Sequence, residues 1–136
     1  MSALTEARDT REIAAGGVHY TREFTVATGS TVYAGAITAV NSSGKAIPAT
    51  SAGAITVVGR AENTAAAGET VTTRSGMFLY NSVSSGAIAV TDLNKKCYIA
   101  DDQTLTLTSG SSAVVAGVVR DVTSGGVVVE IGNGPL

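Results

Sequence analysis

Residues that could do chemistry are few and scattered: one histidine, His19, one cysteine, Cys97, and the acidic pair Asp101–Asp102. A nucleophilic triad needs a nucleophile, a base and an orienting group in one place, and a zinc site needs several converging nitrogen or sulfur donors. His19 sits with Thr21 and Glu23 on the polar side of an alternating segment, without a second histidine or a cysteine pair. It reads as a solvated or hydrogen-bonded surface residue. Cys97 has no partner for a disulfide, and Lys95 and Lys96 beside it are weak grounds for an activated thiolate, so it reads as a small buried hydrophobe. The stretch DDQT at Asp101–Thr104 lacks the ordered oxygen spacing of a calcium loop. Ser124–Gly126 lacks the following Lys-Ser/Thr and the helix that a phosphate cradle requires. No catalytic residue, metal ligand or cofactor is assigned, and the chain is not expected to be an enzyme.

Composition points elsewhere. Charged residues make up 15% of the 136 and aromatics 4%, against about 25% charged in an average domain. The surface must then be largely Thr, Ser, Gly and Ala, which suits a protein whose faces end up packed on other subunits. A net charge of −2 with scattered basic residues argues against nucleic-acid binding, which needs clustered Lys and Arg. No run approaches 18 apolar residues, so no membrane span is expected, and the N-terminus lacks the apolar core of a signal peptide.

The elements that would carry these residues are short strands. Residues 1–17 concentrate charge, with Glu6, Arg8, Asp9, Arg11 and Glu12 ahead of the Gly16–Gly17 pair. They read as an N-terminal arm, 1–17, in front of a single β domain, 18–136. Either the arm is a frayed terminus, or it orders on a neighbouring subunit, with Leu4 and Ile13 as apolar anchors and Arg8 and Arg11 as charged contacts. From Val18 to Val26 the chain alternates with period 2, as a half-buried strand does. Short strands then recur: Thr31–Ala34, Ala36–Val40, Ile55–Glu62 with Gly59 marking a bulge or a close backbone approach, Lys96–Ala100, Leu105–Thr108, Val114–Val122 and Val127–Ile131. Asn41–Gly44 reads as a tight turn, Pro48 as a strand end or edge, and Ser75–Gly76 as a break. A helical turn or a loop is expected near Thr91–Lys95. The fold class is all-β, a small antiparallel β-barrel or β-sandwich.

A 58-residue echo runs through the chain. It superposes Thr50–Gly76 on Thr108–Gly134, matching Val57 with Val115, Gly59 with Gly117, Gly68 with Gly126 and Val71 with Val129. Each copy reads as strand, turn and return strand, too small to bury its own face, so the two are expected to share one core with Val115, Val119, Val127 and Val129 in it.

The segments AENTAAAGETVTTRSGMF and VVAGVVRDVTSGGVVVEIG resemble the head decoration, or capsid cement, proteins of tailed bacteriophages. The resembling residues are Gly59, Ala61, Ala65–Gly68, Glu69, Val71, Gly76 and Phe78, then Gly117, Val118, Gly126, Val127, Val129 and Ile131. The charged arm departs from the pattern. The resemblance implies a small β-barrel or sandwich and a structural role in the virion. The protein would bind the outer surface of the capsid and clamp neighbouring major capsid subunits, as a homo-oligomer, trimer first and dimer second. It would be made in the bacterial host cytoplasm. The alternative is a ligand- or carbohydrate-binding β-module on a phage fibre or cell surface, against which stand the lack of Trp and the scarcity of exposed-ring candidates.

Overall fold

The computed structural model describes residues 3–14, 20–50, 53–54, 56–108 and 114–132. His19, the Gly16–Gly17 pair and the ends of the Ser109–Gly134 stretch lie outside them. The described chain is built from thirteen strands: β1 (Glu12–Ala14), β2 (Thr21–Thr25), β3 (Thr31–Val32), β4 (Ile37–Val40), β5 (Ala46–Pro48), β6 (Thr56–Ala61), β7 (Ala65–Ala66), β8 (Thr70–Arg74), β9 (Gly76–Ser82), β10 (Lys96–Asp101), β11 (Thr104–Thr106), β12 (Val115–Thr123) and β13 (Gly126–Ile131). Among the described residues a single 3-10 turn, Val90–Asp92, overlaps the start of the Thr91–Lys95 stretch where a helical turn or a loop is expected. The arm contains no helix among its described residues.

The echo in the sequence is an echo in topology. One sheet runs β2-β8-β6-β4-β5, and the other contains β9-β13-β12-β10-β11 in the same relative order. In the second run β9 also pairs with β11, parallel, and the five strands close into a barrel. The first run comes round to the same place through one parallel bridge, Val26 with Ala46. There the Ala27 N–H donates to the Ala46 carbonyl at 2.9 Å, as the Val83 N–H donates to the Leu105 carbonyl at 3.0 Å in the second. The short pair β3–β7 is an excursion of the first run alone.

Local chemistry accounts for the strand limits. The Asn41–Gly44 turn is held by Asn41 Oδ1, which accepts from the Ser43 and Lys45 amides at 2.9 and 3.0 Å. Pro48 is the last residue of β5, at the end of its sheet, where a missing N–H breaks no ladder. The break at Ser75–Gly76 is the point where the chain leaves β8 for β9 and so crosses from one sheet to the other.

Each barrel has its own core, which corrects the expectation of a single shared one. Val26, Val32, Ala36, Ala46, Ala61, Ala65 and Val71 fill the first. Phe78, Tyr80, Cys97, Leu105, Val119, Val127, Val129 and Ile131 dominate the second. Ile37, Ala39 and Ala49 of the first run also belong to this second cluster, so the barrels share a wall. There the Ile37 N–H donates to the Asp102 carbonyl at 2.8 Å. Small side chains permit this: five strands enclose little volume, and Ala and Val fill it without strain.

Val115 is not a core residue; it is 36% exposed. The pairing of β10 with β12 shifts register between Cys97 and Tyr98, opposite Gly117 and Val115, so Ala116 is an extra residue. This bulge turns Ala116 inward and Val115 outward, which strict alternation does not foresee. Val119, Val127 and Val129 are buried as expected.

Candidate functional site

With no constellation of reactive groups to build from, the candidate site is the N-terminal segment and the cradle that holds it. Among the described residues no group of three or more His, Cys, Asp or Glu side chains is placed to hold a metal ion. Cys97 is buried, its Sγ faces the Gly117 carbonyl at 3.7 Å, and burial pushes its thiol up to about 12.

The segment neither frays nor projects among its described residues. It lies against its own second barrel, because the backbone groups of an extended chain must find partners and β9 offers them. β11 covers only the C-terminal end of β9, at Asn81 and Ser82. The remaining edge is taken by β1, antiparallel, with Glu12 opposite Phe78 and Ala14 opposite Met77. The Leu79 N–H donates to the Arg11 carbonyl at 3.0 Å.

Four further anchors fix the segment. The Leu4 N–H donates to Asp102 Oδ1 at 2.9 Å, and the Arg8 N–H donates to the Ala34 carbonyl at 2.8 Å. The Arg8 guanidinium lies 5.2 Å from the Tyr80 ring centroid and donates to Gln103 Oε1 at 2.8 Å and to the Leu79 carbonyl at 3.1 Å. Thr10 is buried, and its hydroxyl donates to the Gly35 carbonyl at 2.7 Å, an oxygen that also accepts from the Tyr80 hydroxyl at 2.6 Å. Gly35 has to be glycine: its φ is +92°, and a Cβ there would collide with the Arg8 carbonyl and stand 2.7 Å from the Thr10 hydroxyl.

Charge is concentrated at this seam. Glu12 pairs with Arg74, Arg74 Nε pairs with Glu62 at 2.8 Å, and Arg60 pairs with Glu62 at 2.7 Å. Arg60 also donates to the Thr10 carbonyl at 2.7 Å and lies 4.5 Å from the centroid of the buried Phe78 ring. Burial pushes the Asp102 carboxyl above the usual carboxylate range, opposed by the Leu4 amide. Burial likewise pushes the Tyr80 phenol far above its ordinary value, so it stays protonated and acts as a donor.

The four arm residues singled out from sequence separate into two pairs. Leu4 is half-buried against the first core and Arg8 half-buried on Tyr80, so both serve this chain's own fold. Arg11 is exposed, and Ile13 is 45% exposed. The cradle residues Gly35, Arg60, Arg74, Tyr80 and Asp102 went unrecognised. One signal was available: in so charge-poor a chain, Arg60 interrupts the apolar strand β6 and Arg74 ends β8, and both need partners.

No protein-family model, curated protein or solved structure matches the chain.

Proposed function

We propose that the protein is a virion structural protein, a capsid decoration or cement protein. It binds the outer surface of a tailed-bacteriophage head and clamps neighbouring major capsid subunits. The supporting observation is the position of the resembling residues. Gly59 and Val71 lie in β6 and β8 of one barrel, and Gly117 and Val129 in the corresponding β12 and β13 of the other, while Gly68 lies in the turn that leads into β8 and Gly126 opens β13. That the resembling residues recur at matching points of the two runs supports this reading.

A clamp draws its affinity from many modest contacts repeated by symmetry. A charge-poor β surface suits that role, since few charges have to be desolvated on docking. Within this reading Leu4 and Arg8 tie the N-terminal segment down, and Arg11 and Ile13 present its outer side to a subunit. A trimer is the first expectation and a dimer the second.

The test is to mix the purified protein with expanded heads that lack decoration. Co-sedimentation together with a raised head melting temperature supports the proposal; free protein left entirely in the supernatant refutes it.

A further inference from the structure

The two barrels are alike in strand order but not in what covers their edges. Phe24 of β2 pairs with Val71 as Phe78 of β9 pairs with Val129, which sets Thr25 in the place of Leu79 and Glu23 in the place of Met77. In the second barrel this edge is covered: β1 lies along it, and the Leu79 N–H finds the Arg11 carbonyl. In the first barrel β2 ends its sheet.

The direction of the backbone groups follows from the ladder. The Ser75 N–H donates to the Tyr20 carbonyl and the Val26 N–H to the Glu69 carbonyl, both at 2.9 Å. Residues 20, 22, 24 and 26 therefore face β8, and the N–H and C=O groups of Thr21, Glu23 and Thr25 point outward from the sheet. The side chains of Thr21, Glu23 and Thr25 are exposed as well, and Glu23 makes no ion pair among the described residues. Three alternate residues thus offer a row of donors and acceptors that no backbone group among the described residues takes up, which is the template for strand addition.

A second copy is a poor occupant. Two β2 edges laid antiparallel about a two-fold axis place Glu23 opposite Glu23 when all five residues pair. Shifted by one hydrogen-bonded pair in either direction, they keep only two of the three outward pairs, with Arg22 opposite Arg22 in one case and Phe24 opposite Phe24 in the other. Like charges directly across a ladder are destabilising. The occupant that fits is an extended segment of a different chain, with a Lys or Arg across from Glu23.

We propose that the open edge of β2, at Thr21, Glu23 and Thr25, takes an extended segment of the major capsid protein as an added antiparallel strand. This rests on the decoration reading and names the surface that does the binding. The first barrel would then hold in trans the strand that the second barrel holds in cis.

The test combines amide hydrogen exchange with one substitution, both on the full chain and on expanded undecorated heads. In the free protein the Thr21, Glu23 and Thr25 amides should exchange quickly while those of Arg22 and Phe24 are slow; on heads the three should slow by at least tenfold. Glu23→Pro removes an outward N–H without touching the bonds to β8, so it should keep the wild-type melting curve and lose at least tenfold in co-sedimentation. If Glu23→Pro fails to fold, wild-type exchange decides alone. Wild-type protein that binds heads while these amides still exchange freely overturns the inference and leaves the decoration reading standing. Wild-type protein that does not bind heads at all overturns both.

Discussion

Gly59 and Gly117 occupy the same place in the two barrels. Each directly follows a bulged residue, Val58 in β6 and Ala116 in β12, where the register with β4 and with β10 shifts. Each also lies against a main-chain carbonyl of its return segment, Arg74 for Gly59 and Glu130 for Gly117. A Cβ at Gly59 would stand 2.6 Å from the Arg74 oxygen, at a φ of +147°, and one at Gly117 would run into the Glu130 oxygen. Gly59→Ala and Gly117→Ala should therefore each destabilise by about 1–3 kcal/mol, the usual cost of overpacking. Gly125→Ala is the control, because its nearest neighbour would be 3.7 Å away. Denaturant midpoints decide it; unchanged midpoints for the two bulge glycines would refute the close approach.

The 58-residue echo was legible because a glycine forced by a backbone approach leaves a mark that composition cannot blur. The same holds for Pro48 and for the Asn41–Gly44 turn, where one residue type has one physical reason to be there. Two barrels instead of one could not be read, since closure depends on β9 meeting β11 and Val26 meeting Ala46 across long stretches of chain. The exposure of Val115 was hidden for a related reason: a bulge inverts the inside–outside pattern that period 2 assumes. The docking of residues 3–14 was equally hidden, because Arg8 and Glu12 look like a solvated charge run until Tyr80 and Arg74 are placed beneath them.

Arg8 anchors the N-terminal segment through its planar fork rather than its charge alone. It stacks on Tyr80 while donating to Gln103 and to the Leu79 carbonyl. Arg8→Ala should cost about 2 kcal/mol, the scale of hydrogen bonds made by a charged group. Arg8→Lys should recover little of it, since an ammonium neither stacks nor forks in the same way. Urea denaturation and the rate of tryptic cleavage after Arg11 would both report the loss. Full recovery in the Lys variant would show that charge alone matters.

Cys97 should be silent in the folded protein. It is buried at 0% exposure and its thiol is pushed up to about 12 by burial, so almost no thiolate is present at pH 8. A thiol reagent such as DTNB should label the native protein only at the rate of global opening and label it at once in denaturant. Rapid stoichiometric labelling without denaturant would mean that the second barrel opens far more often than its packing implies.

Asp102 makes the stability of the cradle depend on pH in a direction opposite to a salt-bridged carboxylate. Its carboxyl is held above the usual range by burial, so the folded state keeps the proton more tightly than the unfolded chain does. The stability tied to this proton is complete below the ordinary Asp value of about 3.9 and is lost as pH rises through the raised value. Asp102→Asn retains an oxygen for the Leu4 N–H and removes the buried charge. The variant should therefore match or exceed wild type at pH 7, with the difference fading as the pH is brought down to about 3. Asp102→Ala leaves the Leu4 amide without its acceptor and should lose about 1 kcal/mol relative to the Asn variant at either pH. Thermal melts of the three proteins across that range test it. An Asn variant that is weaker at pH 7 and recovers in acid would show that the carboxylate, through Arg8, stabilises the seam after all.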